Sequence, residues 1–406
     1  MNERLKRILI LAGFVVSVFI FAFLLYFLFF RSAGPAPEAT VEDEEIDELT
    51  GLPESLQAAI REALEQEEAE ALLEADTVAR GGLTLTTKLT TSAVDELVIS
   101  SDGDDATYYD STDGRFYSID EDGDATALSD KQFPQVETVS WNKDSEKAVL
   151  EFPDGSNILY NFETEKQITL PDHWEDFDFS PTTDEIVAKS IALDPSNRWL
   201  LLASDDGSNV RSFQALGENE DKVTVNWSPN DQVVAFADTA DEQQGGFDRT
   251  LIYPVGKNSE NFKGLVVEGL GFESEWSPNG KQLLYSVAGS YSDYKPLLWI
   301  VDATSSTMGE NRTSLGLNTW VDKCTFGSSK TIYCAVPTDL PLNSGLQRSL
   351  YADTEDVLYK IDLSSGRSNM IAIPAEGTSM NSISVNDDET KLYFTNDDGE
   401  LELMNL

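Results

Sequence analysis

The sequence predicts an all-β chain: a seven-bladed β-propeller over residues 83–406, preceded by a single transmembrane helix and a short stalk helix. Three observations predict it. A run of 23 uncharged residues lies near the N-terminus. After Gly82 the chain changes to short β-rich runs separated by Asp, Asn, Gly and Ser. Two different strings then recur along that part, each in seven copies. Composition narrows the function. The 406 residues carry 28 Lys+Arg against 73 Asp+Glu, a net charge of −45. Nucleic acid is therefore not expected as a partner, because phosphate binding needs a basic surface. One histidine, His173, and two cysteines are too few for a His/Cys zinc site. A Ser-His-Asp triad would rest on His173 alone, in the loop LPDHWED, where a plain loop residue is expected.

The first element is the run Ile8 to Phe30, without charge or proline. As a helix it is roughly 34 Å long, enough to cross a hydrocarbon core of about 30 Å. A cleaved secretory signal has an apolar region of only about 7–15 residues, so an uncleaved anchor is expected. Arg4, Lys6 and Arg7 precede the run; Arg31 follows it, and the next basic residue is Arg61. The positive-inside rule puts residues 1–7 in the cytoplasm and the remainder outside, in the periplasm or on the cell surface. Residues 31–52, with Gly34, Pro35, Pro37 and the run VEDEEIDEL, read as an acidic disordered linker.

Residues 53–77 read as the stalk helix: Pro53 suits a first turn, and the interior is rich in Ala, Leu and Glu. Leu56, Ile60, Ala63 and Leu64 recur at helical spacing. A solvated stalk, a coiled coil and packing against the head all remain open, although no unbroken heptads support the second. Gly81-Gly82 ends the helix.

From residue 83 onward self-similarity dominates. VNWSPNDQVVAFAD (Val225–Asp238) matches SEWSPNGKQLLYSV (Ser274–Val287), and weaker copies surround Trp141, Phe179, Phe326, Val385 and Ile99. The seven anchors Ile99, Trp141, Phe179, Trp227, Trp276, Phe326 and Val385 are 42, 38, 48, 49, 50 and 59 residues apart. Each copy reads as a strand ending in a large apolar residue, a tight turn and an apolar strand. A second string follows each hairpin, from RFYSID (Arg115–Asp120) to VLYKID (Val357–Asp362) and LELMNL (Leu401–Leu406). A weaker strand follows most of these, giving four strands per unit, as in propeller blades. The last unit lacks a fourth strand. LTLTTKL (Leu83–Leu89) belongs to no unit and is expected to supply it, closing the ring and removing open edges.

The W-S-P-N-G hairpin, its apolar strand and the L-Y/W-x-x-D strand resemble the WD-like propeller repeats of TolB-like proteins. The resemblance covers about residues 83–406 and is specific at Trp227 and Trp276. It implies a propeller of the kind found in periplasmic and cell-surface binding proteins, and no catalytic motif. The chain has a membrane span where TolB itself has an α/β domain. A serine-peptidase propeller would also carry a hydrolase domain with a G-x-S-x-G elbow, and the given sequence ends at Leu406 without one.

Candidate chemistry is sparse. Cys324 and Cys334 flank a hairpin turn, and a three-residue loop centred on Ser329 would set them face to face. They are either an extracytoplasmic disulfide or two small core residues. Asp120, Asp122 and Asp124 alternate as in a calcium loop, but Ala125 and Lys131 stand where an EF-hand needs Gly and Glu. A plain hairpin turn uses the same residues. No cofactor is otherwise expected, no sialidase-type box is present, and no carboxylate pair is singled out. The longest insertion, Pro337 to Asp356, carries Leu340, Leu342, Leu346, Leu350 and Tyr351. It either covers a propeller mouth, contacts a partner, or packs on its own blade. TADEQQGGFDRT is a second such loop. The expected function is a non-catalytic protein- or ligand-binding scaffold in the cell envelope, with its partner on a propeller face. The alternative is a propeller hydrolase or lyase acting on envelope polysaccharide.

Overall fold

A computed structural model describes residues 75–100, 103–238, 248–258, 260 and 262–406. The tail, the span 8–30, the linker and all of the stalk up to residue 74 lie outside the described residues, as does the loop 239–247. Among the described residues no helix is long and apolar enough to cross a membrane. Residues 75–77, the expected end of the stalk, are not helical, and Asp76 bridges to Thr84.

The described residues build six hydrogen-bonded sheets. Sheet A joins the two ends of the head: Asn381–Val385, Lys391–Thr395, Glu400–Asn405, Thr87–Ile99, Ala106–Asp110, Arg115–Ile119 and Ala125–Ala127. Sheets B to E are four-stranded antiparallel meanders. Sheet B holds Thr138–Trp141, Lys147–Glu151, Asn157–Asn161 and Lys166–Leu170. Sheet C holds Trp174–Phe179, Glu185–Ser190, Trp199–Ser204 and Arg211–Ala215. Sheet D holds Val223–Val225, Val233–Asp238, Arg249–Gly256 and Leu265–Glu268. Sheet E holds Leu270–Trp276, Gln282–Ala288, Pro296–Asp302 and Thr313–Ser314. Sheet F holds Cys324–Ser328, Thr331–Pro337, Asp356–Asp362 and Arg367–Pro374, with Gly82–Thr84 added at its edge.

The hairpins follow from their turn chemistry. Ser228 and Ser277 close the two strongest turns: each hydroxyl accepts from a backbone N–H five residues on, at 2.9 and 3.0 Å. Four residues past the anchor, Gly103, Ser145, Asp231, Gly280 and Glu389 all take positive φ. That shared left-handed residue is why glycine or a short polar residue stands there in four of these five copies, Glu389 being the fifth. Gly280 has a second reason. A Cβ on it would lie 2.6 Å from the Asn230 backbone nitrogen, and Asn230 Nδ2 donates to its carbonyl at 2.6 Å.

The middle strands carry apolar residues on both faces, so each sheet is covered on both sides. Seven buried apolar clusters are found among the described residues; six lie between strand groups that follow one another in the chain, and the seventh joins groups from its two ends. Phe116 and Tyr109 meet Leu150, Tyr160 and Phe162 between sheets A and B. Leu159 meets Ile186 between B and C; Leu200 meets Val234 between C and D; Phe236 meets Tyr285 between D and E. Leu284 meets Ile332 between E and F, and Leu358 meets Phe394 between F and the C-terminal strands of A. Within sheet A, Tyr393, Leu401 and Leu403 pack on Val94, Tyr108 and Ile119.

The predicted strand 83–89 is corrected. Its first part pairs elsewhere: Gly82–Thr84 runs parallel to Arg367–Pro374, with Leu83 opposite Ile373. Pairing with the last strand begins at Thr87, opposite Leu403, and continues with Lys88 opposite Glu402. After a register break the same strand pairs Val94 with Asp110 and Ile99 with Ala106. One strand of 13 residues thus serves the C-terminal and N-terminal groups together. Leu83 and Leu85 alternate with Thr84 and Thr86, but the alternation breaks at Thr86-Thr87-Lys88, and tertiary contacts divide the run there. Gly81, at φ 100°, turns the chain onto sheet F.

Leu401→Ala removes a fully buried side chain from the cluster that unites the two ends. It should destabilise the protein by about 2–5 kcal/mol. Leu342→Ala, at a site 64% exposed, should leave the melting temperature unchanged when both are followed by near-UV circular dichroism.

Candidate functional site

The first strands of neighbouring sheets approach one another, and the residue just before the apolar anchor takes part in linking them. Ser140 Oγ donates to the Phe177 carbonyl at 2.8 Å. The Asp178 carboxylate accepts from Trp227 N at 2.7 Å. Asn226 Nδ2 donates to the Ser274 carbonyl at 2.9 Å. Glu275 accepts from the backbone of Phe326. Each link runs from one sheet to the first strand of the next. Asp176 adds a bond from Val225 N at 3.2 Å, and Glu151 one from Asp176 N at 3.2 Å. Sequence reading missed this row, although its signal was there: the residue before the anchor is polar in six copies (Ser140, Asp178, Asn226, Glu275, Thr325 and Ser384).

Glu151, Asp178 and Glu275 of this row, and Glu96 near it, keep some accessible area, yet protein surrounds them closely enough for lost hydration to dominate their titration. Burial pushes Glu96 and Glu151 up to about 7 and Glu275 up to about 8, against the opposing pull of backbone donors. Asp178 is raised to about 6 for the same reason.

Two cavities open beside this row. One, of about 580 Å³, is lined by Asp95, Glu96, Glu137, Asn381, Asn396 and Asp397. The other, of about 650 Å³, is lined by Asn226, Phe236, Phe272, Glu273, Asp322 and Arg348. Arg348 comes from the long insertion, which links the second and third strands of sheet F. Its guanidinium lies 5.5 Å from the Trp320 ring centre. It pairs with Asp322 and, at 3.4 Å, with Glu273. Asn343 N and Gly345 N donate to the Asp293 and Tyr294 carbonyls at 3.0 and 2.9 Å. Gly345 is required by that approach, since a Cβ there would lie 2.6 Å from Ala288. The insertion therefore rests on sheet E as well as on its own sheet. Leu340 is buried, whereas Leu342, Leu346 and Leu350 are 64%, 47% and 68% exposed.

Phe179, Trp227 and Trp276 are buried between sheets, and Trp141 and Phe326 are partly buried against the same clusters. The Trp227 indole donates to Asp231 at 2.9 Å under the Lys257 ammonium. Cys324 and Cys334 lie directly opposite in register and are joined by a disulfide. The turn between them has two residues, Ser329 and Lys330, rather than three. An irregularity at Gly327 absorbs the difference and preserves the facing register. Asp120 Oδ1 accepts from Asp122 N and Asp124 N at 3.0 and 2.9 Å, the bonding of an Asx turn. Among the described residues no group of three or more His, Cys, Asp or Glu is placed to hold a metal ion. His173 is half exposed beside Asp172.

No family model matches the chain, and no curated protein matches it. Solved structures do. The β-propeller domain of Myceliophteria thermophila Cps50 (Swd1) aligns with a TM-score of 0.51 at 11% identity, over 79% of this chain and 99% of that one. An oligogalacturonate lyase in complex with manganese aligns with a TM-score of 0.52 at 13% identity, over 81% and 90%. The oligogalacturonate lyase of Vibrio parahaemolyticus gives 0.53 at 12% identity, over 79% and 93%. At these identities the likeness is one of fold. The head is a β-propeller.

The raised carboxyls carry a sign. A carboxyl whose folded value exceeds its unfolded one binds an extra proton in the folded state. The contribution of such a group to stability is then fully present below about 4.5 and is lost as pH rises through the folded value. The melting temperature should fall between about pH 4.5 and 8, and Glu275→Gln should flatten that decline. A variant with the wild-type slope would contradict the assignment. Replacing both cysteines by serine opens a loop with a sequence separation of 10. This should cost about 2–3 kcal/mol, read as a lower melting temperature that reductant does not shift further.

Proposed function

We propose that this chain is a membrane-anchored, extracytoplasmic propeller with TolB-like repeats, acting as a non-catalytic binding scaffold in the cell envelope. Sheet A is read as two blades sharing the strand Thr87–Ile99, which makes seven blades and a closed ring. The pairing of Thr87 with Leu403, and the cluster uniting Tyr393 with Tyr108, support that reading. The uncharged run 8–30 supports the anchor, and the Cys324–Cys334 pair suits an oxidising compartment.

The observation that carries the scaffold reading is the distribution of exposed apolar residues. Of eight large ones among the described residues, Leu342, Leu346 and Leu350 lie on the insertion, and Tyr291 lies on the segment beneath it. Singly exposed leucines are ordinary; a group of them on a pinned loop marks an interaction surface.

A second reading, a hydrolase or lyase on envelope polysaccharide, draws on Glu96. Raised to about 7 and lining a cavity beside Glu137, it has the protonation a general acid needs. The carboxylates around it disfavour an anionic saccharide, so a neutral glycan is the substrate class to assay.

Location and role are tested together. In intact cells an epitope tag after Leu406 should be reached by antibody without permeabilisation, and the purified chain should turn over no glycan of a neutral panel. A tag accessible only after lysis would remove the envelope role. Glycan turnover lost in Glu96→Gln would favour the enzyme.

A further inference from the structure

We propose that the occupant of the Leu342–Leu346–Leu350 surface is a basic amphipathic segment of another protein. This rests on the scaffold reading above and names the partner's chemistry. The insertion carries these exposed leucines together with exposed carboxylates. Asp293, Asp339, Asp353 and Glu355 are exposed on the insertion or on the segment that supports it. Beside them, Glu273 and Asp322 share one guanidinium, that of Arg348, and both carboxylates remain about half exposed. Burial and the neighbouring Asp322 charge push the Glu273 carboxyl up against the pull of Arg348. Negative charge therefore exceeds positive charge on this surface. The basic side chains of the insertion and of the segment 289–295 are Arg348 and Lys295; Lys323, at the base of the insertion, is buried and paired with Asp356.

That balance selects the partner. A second copy of this chain would bring the same acidic surface, and a net charge of −45, against itself, so self-association through the patch is opposed. An acidic or neutral apolar partner would bury the leucines but leave the exposed carboxylates to lose water without compensation. A segment with leucine-like residues along one face and lysine or arginine flanking it satisfies both demands. Its apolar side chains cover Leu342, Leu346 and Leu350. Its cations meet Asp339, Asp353 and Glu355, and one is within reach of the cavity of about 650 Å³ beside Glu273.

The test uses the purified full chain and a fluorescein-labelled peptide of leucine and lysine, about 18 residues long so that it forms five helical turns. Two comparison peptides carry glutamine or glutamate in place of lysine. Anisotropy should show the lysine peptide binding at least about tenfold tighter than the glutamine one. Its affinity should fall by about tenfold or more between roughly 20 and 300 mM salt. The L342S/L346S/L350S variant should lose binding by about tenfold or more. All three positions are exposed, so its circular dichroism and melting temperature should match the parent. D339N/D353N/E355Q should keep the apolar contact and lose most of the salt dependence. Equal binding of the three peptides, or undiminished binding to the leucine variant, would overturn the inference. Concentration-dependent dimers in sedimentation that vanish in the leucine variant would overturn it in favour of a second copy. A photo-crosslinker at position 346 separates this from the scaffold reading. Crosslinks in cells to a partner without a basic segment would sink the inference alone, whereas no crosslink and no peptide binding would sink both.

Discussion

The apolar packing between successive sheets is the constraint on which the rest depends. A single four-stranded meander has two faces to cover and two edges to protect. Here the central strands, such as Lys147–Glu151 and Gln282–Ala288, are buried nearly throughout, so no sheet is stable without both neighbours. The cluster of Tyr393, Leu401 and Leu403 against Val94, Tyr108 and Ile119 provides that cover for the strands at the two ends of the head. The strand Thr87–Ile99 joins the same two groups by backbone bonds.

The polar links between first strands are a second layer on that packing. Ser140, Asp178, Asn226 and Glu275 each satisfy backbone groups of the next sheet that the meander leaves unpaired. Carboxylates in this role are costly to ionise, which is why Glu275 and Asp178 are raised despite their donors. Asp178 and Glu275 therefore both link the sheets and tie that link to the protonation of a carboxyl. The insertion 338–355 is held by a different device, an arginine between two carboxylates and an indole ring. That arrangement fixes the loop while leaving three leucines in water.

Much of the head was legible because its signals are local. Anchor residue, turn residues and alternating strand lie within about 14 residues, so Trp227-Ser228-Pro229-Asn230 and Trp276-Ser277-Pro278-Asn279 announce their hairpins directly. The second string located the third strands equally well: RFYSID and VLYKID contain Arg115–Ile119 and lie within or against Asp356–Asp362. The facing of Cys324 and Cys334 was also readable, although the turn reached it by a different route, two residues and an irregularity at Gly327.

What the amino-acid order determined by itself was the repeating hairpin, the acidic surface and the uncharged run before the head, because periodicity and charge need no partner to be read. What only the tertiary structure decided was which neighbour each ambiguous segment chose. Gly82–Thr84 went to sheet F and Thr87 onward to the last strand, since a threonine-rich run carries no preference that packing cannot override. The raised carboxyls and the seat of the insertion on sheet E were likewise settled there. Desolvation and long-range contact depend on what surrounds a side chain, and the residues that surround Glu275 or Gly345 come from distant parts of the chain.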